Sequence, residues 1–273
     1  MIEIAEAQVL SQQMKKELVG KTISQVSFGN SPHRFAFFST EEETYDLWLV
    51  GKKVEQVSSV GNYVLLELAD CRLSFSEGLN FYWLSAGEKL PKKYQFSLTF
   101  SDGYILACSV SMYGAMMLQN EALPGNEYFQ VAVEKPSPLS EDFNQAYFQK
   151  LVAETKLTIS LKGFMGTEQR IPGLGNGSLH DIFFTAKLLP KRKLNTLSPE
   201  DITELYQSMK TVLAKMVTQG GRNMEKDFYG QPGGYQTILS SKTWKNPCPR
   251  CGNEIQKVSF LGGTVYYCEG CQK

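Results

Sequence analysis

Four cysteines close the chain in one pattern: Cys248-Pro-Arg-Cys251, sixteen intervening residues, then Cys268-Glu-Gly-Cys271. A tetrahedral zinc ion takes four thiolates, and each Cys-x-x-Cys turn supplies two of them from one tight knuckle. Gly252 follows the first knuckle and Gly270 sits inside the second, where a backbone wrapping a metal needs positive φ. Between the knuckles, residues 256–260 and 264–267 alternate β-branched or aromatic with polar side chains around Gly262-Gly263, which predicts a hairpin with a two-glycine turn. Two disulfides or four free thiols are the other uses of such a set. The N-terminus has no basic-then-apolar leader, so secretion is not expected, and disulfides rarely persist in the cytoplasm. The expectation is one structural Zn2+ on Cys248, Cys251, Cys268 and Cys271.

A second candidate is Arg170-Ile-Pro-Gly173-Leu-Gly175-Asn176-Gly177-Ser178. Three alternating glycines strip side chains from one face of a turn that opens a helix. Backbone N–H groups there can approach a phosphate, and the helix N-terminus adds favourable partial charge. The same glycines also suit a plain helix–turn–helix connector, in which Asn176 is a cap.

These groups need a scaffold, and 273 residues suffice for more than one domain. No run of about 18 apolar residues is present, so no membrane helix is expected. Net charge is zero, but residues 1–149 hold 11 Lys+Arg against 18 Asp+Glu, a net −7, and residues 150–273 hold 17 against 10, a net +7. A basic half that also carries a metal module suits a polyanion. Cys71 and Cys108 lie in strand-like stretches and read as buried small hydrophobes.

Residues 5–18 place Val9, Met14 and Leu18 at helical spacing before Gly20. Short β-branched and aromatic runs follow at 63–68, 94–100 and 104–110, with Asp102-Gly103 as a hairpin signal, which predicts a sandwich or barrel. Pro136 and Pro138 mark a linker. Helices are then expected from Ser140 and from Ser198-Pro199-Glu200-Asp201, the second ending at Gly220-Gly221. The fold class expected is α+β and multidomain: a β-sandwich over residues 1–130, a helical domain over 131–235 and a zinc-ribbon hairpin over 236–273.

Taken together, the chain resembles the formamidopyrimidine-DNA glycosylase / endonuclease VIII family along its whole length. The residues that carry this are Leu18-Val-Gly-Lys-Thr-Ile23, Gly61-Asn-Tyr-Val-Leu-Leu-Glu-Leu68, Pro138-Leu-Ser-Glu-Asp-Phe143, Pro172-Gly-Leu-Gly-Asn176, Gln219-Gly-Gly221 and Tyr267-Cys-Glu-Gly-Cys-Gln272. The resemblance implies an N-terminal sandwich, a helix–two-turn–helix domain, a zinc hairpin, and double-stranded damaged or abasic DNA as the partner of a cytoplasmic, nucleoid-associated monomer. It also implies DNA contacts at Asn62, Leu79, Met112, Tyr113, Lys162, Gly175 and Asn176.

The family opening is Met-Pro-Glu-Leu-Pro-Glu, and its proline amine attacks the sugar to form a Schiff base. Here the opening is Met1-Ile2-Glu3-Ile4-Ala5-Glu6. Both carboxylates persist and both prolines are gone, so the resemblance transfers catalytic roles to Glu3, Glu6 and the Met1 amine. An extra residue displaces that amine by up to about 3.5 Å, and about 1 Å of misplacement can cost ~10²-fold. The family's lysine falls at Asn62, its three inserted residues fall near Leu79, Met112 and Tyr113 with the arginine lost, and its hairpin arginine falls near Gly262-Gly263. Three readings follow: a DNA binder whose usual chemistry is weak or lost; an active enzyme using the Met1 amine or a Glu3-activated water; and a zinc-ribbon scaffold for protein or RNA.

Overall fold

The structure, a computed structural model, describes residues 1–273. Helix α1 (Ile4–Leu18) starts with the Glu6 side chain accepting the Glu3 N–H at 3.1 Å, the return half of a capping box. Gly20, at φ 89°, ends it. Its buried side chains divide between two cores. Leu10, Met14 and Leu18 enter the core of the sheet, whereas Ile4 and Ala5 enter that of the helical unit. One amphipathic helix therefore fixes the N-terminus at the junction.

The sheet contains β1 (Ile23–Ser27), β2 (Ala36–Phe37), β3 (Gln56–Val60), β4 (Tyr63–Glu67), β5 (Arg72–Leu84), β6 (Phe96–Phe100) and β7 (Ile105–Gln119), with α2 (Glu42–Leu49) inserted after β2. Its order is β1-β6-β7-β5-β4-β3, and β2 pairs with β7 in parallel. The long strands β5 and β7 pair with each other, β4 flanking one half and β6 the other, and break register between Glu77 and Leu79, where Glu77 adopts φ 67°. Cys71 and Cys108 are buried, as expected.

The domain division expected at 130/131 cuts α3 (Glu127–Glu134). Phe129 and Ala132 of this helix pack on Tyr63 and Leu65 of β4. The helix expected from Ser140 starts later, as α4 (Gln145–Ala153), because Asn144 supplies the cap and Ser140 closes a turn onto Ser137. Then follow α5 (Leu161–Gly166), α6 (Asn176–Ala186) and α7 (Pro199–Thr218). Ser198 and Asp201 cap α7 reciprocally, with Pro199 at its first position. No helix is long and apolar enough to cross a membrane.

The C-terminal hairpin pairs β8 (Gln256–Phe260) with β9 (Gly263–Tyr267). Its two-residue turn is Leu261-Gly262, at φ 47° and 72°, one residue earlier than the glycine pair suggested. Gly263 serves another need, since a Cβ there would overlap the Asn176 amide. Gly252 takes positive φ, but Gly270 does not; Gly270 makes room for Asn253 and the Cys251 sulfur.

Helix α6 anchors this module. His180 Nε2 meets the Thr264 carbonyl at 3.2 Å, and the Asp181 carboxylate accepts from the Ile238 and Leu239 N–H groups, both at 2.9 Å. Burial pushes His180 down to about 4 and Asp181 up to about 6. Below pH 6.5 the unfolded chain takes up the His180 proton first, so stability is lost as pH falls toward 4. Above pH 3.8 the unfolded chain releases the Asp181 proton first, so stability is lost as pH rises toward 6. The two slopes oppose each other. In urea titrations between pH 4 and 6.5, Asp181→Asn is expected to steepen the acid loss and His180→Gln to reverse it, each by up to roughly 3 kcal/mol.

Candidate active site and nucleic-acid cleft

Between the sheet and the helical unit lies a cleft of about 820 Å³, lined by residues that include Met1, Glu3, Asn62, Glu77, Met112, Gly175, Asn176, Arg222 and Glu225. Its base is a buried charge cluster. Arg222 donates to both oxygens of Glu6, at 2.8 and 2.7 Å, to Glu3 Oε1 at 3.1 Å and to the Met1 carbonyl at 3.0 Å. All three side chains are less than a tenth exposed. Burial alone would raise the Glu6 carboxyl, but the Arg222 guanidinium and its hydrogen bonds outweigh it and hold the group below its ordinary value. Burial alone would lower Arg222, and the charges of Glu3 and Glu6 overcome that too.

Glu3 does more than pair with Arg222. Its oxygens accept from the Gly177 and Ser178 N–H groups, both at 2.9 Å, and from the Ser178 hydroxyl at 2.6 Å. The first turn of α6 is thus satisfied by a protein carboxylate, the favourable charge at a helix N-terminus. Gly175 and Asn176, to which the resemblance assigns phosphate, stand at the start of the same turn. A Cβ on Gly175 would overlap the Glu3 carboxylate, and one on Gly177 would overlap Arg222. Asn176 begins α6 exposed to the cleft, beside these engaged groups.

The other expected contacts divide. Asn62 lines the cleft and donates to Glu77 Oε1 at 3.0 Å, so a neutral amide and an acid stand where the family pattern has a cation. Met112 is 51% exposed and lines the cleft, and Tyr113 is exposed beside Phe35, with ring centroids 4.8 Å apart. Leu79 lies elsewhere. It is buried in the sheet core beyond the register break, and the β5 residues that line the cleft are Ser76 and Glu77. Lys162 is buried, its ammonium donating to the Phe260 and Leu261 carbonyls of the hairpin turn. Burial lowers its pKa. The turn that lost its arginine is therefore held by a lysine from α5.

Sequence reasoning missed Arg222 and Glu225. Arg222 directly follows Gly220-Gly221, where the chain was read only as a helix end, and Glu225 had no local signal. In the loop after Gly221, Phe228 packs in the sheet core beside Trp83, and Met224 and Glu225 reach the cleft.

At the far end, the sulfurs of Cys248, Cys251, Cys268 and Cys271 lie within 4.8 Å of one another. Their closest pairs, at 3.3–3.5 Å, are far from the ~2.05 Å of a disulfide and near the ~3.8 Å separation set by tetrahedral Zn–S bonds. The set fits one structural zinc.

The formamidopyrimidine-DNA glycosylase N-terminal domain matches residues 1–141. This chain belongs to that family. The family's helix–two-turn–helix domain matches residues 135–227, and the zinc finger found in it and in isoleucyl-tRNA synthetase matches 245–273. The formamidopyrimidine-DNA glycosylases of Lactococcus lactis and Listeria monocytogenes are each 28% identical to it across the full length of both chains. Among solved structures, the Lactococcus lactis enzyme in complex with abasic-site DNA superimposes with a TM-score of 0.84 at 26% identity, covering 99% of each chain. The same enzyme with DNA containing a ring-opened formamidopyrimidine guanine also gives 0.84.

Two outcomes follow from the site. Arg222→Met leaves two carboxylates buried without their partner and is expected to cost about 3–5 kcal/mol in urea denaturation, while adding Glu3→Gln and Glu6→Gln recovers much of that loss. Removing zinc with a chelator is expected to collapse the amide dispersion of residues 245–273 in a 1H–15N spectrum and leave the β1–β7 signals in place.

Proposed function

We propose that the protein binds double-stranded DNA as a monomer at a damaged or abasic nucleotide, in the cleft between the sheet and the helical unit. Imine-forming glycosylase and lyase chemistry of the family's usual kind is weak or lost in it. Its place of action on this reading is the cytoplasm, at the nucleoid.

One observation carries the chemical half of this reading. The backbone nitrogen of residue 2, the family's nucleophile, is here the amide of Ile2, donating to the Glu77 carbonyl at 2.8 Å. An amide nitrogen has no basic lone pair. The nearest amine is one residue away, on Met1, and it is ion-paired with Glu225 Oε2 at 2.5 Å. The neutral Asn62 and the acid Glu77 point the same way, because neither supplies the charge-assisted contact of a lysine to phosphate. The binding half is supported by the likeness to relatives solved with abasic and damaged DNA and by the net +7 of residues 150–273.

The test is borohydride trapping on a duplex with one abasic site. Salt-sensitive retention of that duplex with little covalent complex is the expected result. A strong trapped band mapping to the N-terminal peptide would overturn the weak-chemistry half. Absence of salt-sensitive retention would overturn the binding half and leave the scaffold reading.

A further inference from the structure

Met1 enters the cleft as the only free α-amine of the chain, and its surroundings are built rather than incidental. Its carbonyl accepts from Arg222 at 3.0 Å, the next N–H is fixed to Glu77, and Glu3 then caps α6. The direction in which the amine leaves the chain is set by these contacts. At its end stands Glu225, 29% exposed, with Oε2 at 2.5 Å.

Glu225 is held from its own side. Its N–H bonds to the Arg222 carbonyl at 3.0 Å, and its carbonyl accepts from Gly233 at 3.1 Å. The loop that carries it is docked on α1, the helix that follows Met1. Gln13 donates to Asp227 at 2.8 Å and accepts from the Phe228 N–H at 3.0 Å, and the Tyr229 hydroxyl donates to Glu17 at 2.8 Å. Both ends of the ion pair are thus tied to α1, one by the chain itself and the other by these hydrogen bonds.

We propose that Glu225 is a positioning residue that pins the Met1 amine within the cleft and so suppresses its attack on aldehydes. The inference rests on the weak-chemistry reading above. For imine formation the amine nitrogen must donate its lone pair to the C1′ aldehyde carbon of a ring-opened abasic sugar. A C–N bond forms, two protons leave nitrogen, and the carbonyl oxygen departs as water. A nitrogen held on the Glu225 carboxylate is not free to approach that carbon, so the ion pair must open first. Partly exposed pairs of this kind shift such an equilibrium by a factor of about two to five, and the effect expected is of that size.

The experiment compares wild type with Glu225→Gln, which keeps a hydrogen-bond acceptor of similar shape and removes the charge. Two readouts are taken. One is borohydride trapping on the abasic duplex. The other needs no DNA: reductive methylation with formaldehyde and cyanoborohydride, in which the amine displaces the aldehyde oxygen as water and hydride reduces the imine, read by mass spectrometry of the N-terminal peptide against the lysines of the same digest. Glu225→Gln is expected to raise N-terminal methylation about two- to five-fold relative to the lysines and to raise trapping in proportion. Should the variant fold poorly, wild type alone gives the answer, because about 1 M salt screens an exposed pair and is expected to raise N-terminal methylation relative to the lysines. Unchanged methylation in both comparisons would overturn the pinning role even if wild type traps DNA weakly. A fall in trapping for Glu225→Gln would overturn it too, marking Glu225 as a base that assists attack. Strong wild-type trapping with methylation still raised in the variant would leave the pinning intact and sink only the weak-chemistry reading.

Discussion

The architecture depends on a guanidinium placed between two buried carboxylates. Charges taken out of water are costly unless paired and fully hydrogen-bonded, and the Arg222 cluster meets that condition by drawing on distant parts of the chain. Glu3 and Glu6 come from the start of α1, the Gly177 and Ser178 N–H groups from the turn before α6, and Arg222 from the loop after α7. Only when the sheet and the helical unit are docked are all the donors and acceptors satisfied. The cluster therefore works as an interdomain lock, and the glycines of the turn are the space into which its side chains fit.

That lock also sets the chemistry open to the cleft. The carboxylate of Glu3 receives four donors, including Arg222, which leaves it committed to structure at the same place where the family resemblance assigns proton handling. Around it the cleft carries Glu77 and Glu225, with Arg222 turned into the cluster. Such a surface carries acids and an amide where the family pattern has a cation. The methionines Met112, Met165 and Met224 along the cleft give it walls that adapt to shape.

The zinc module is tied to this centre through α6. His180 and Asp181 reach the hairpin and the segment before it, while Lys162 and Asn176 sit against the turn at residues 260–263. A lysine taken up by backbone carbonyls restrains the tip of the hairpin. The face that the family resemblance assigns to phosphate is thus taken up in part by the protein's own backbone.

Local rules settled much of this in the sequence. The spacing of the four zinc-knuckle cysteines, the capped α7, the hairpin at Gly103 and the strand runs depend on neighbours within a few residues, so type and spacing suffice to read them. Even there, tertiary space moved details: the hairpin turn shifted to Leu261-Gly262 because Gly263 faces Asn176, and Leu79 went to the core because the chain breaks register at Glu77. The site was legible as far as Met1, Glu3, Glu6, Asn62, Met112 and the glycine turn. Arg222 and Glu225 lie more than 200 residues from the groups they bind, and no local pattern in an isolated sequence encodes a partner at that separation. Residue order alone established which charges and metal ligands exist. Docking of α1 between two cores decided which of those charges meet, because electrostatic pairing in a buried cleft depends on position in space and on the water it excludes.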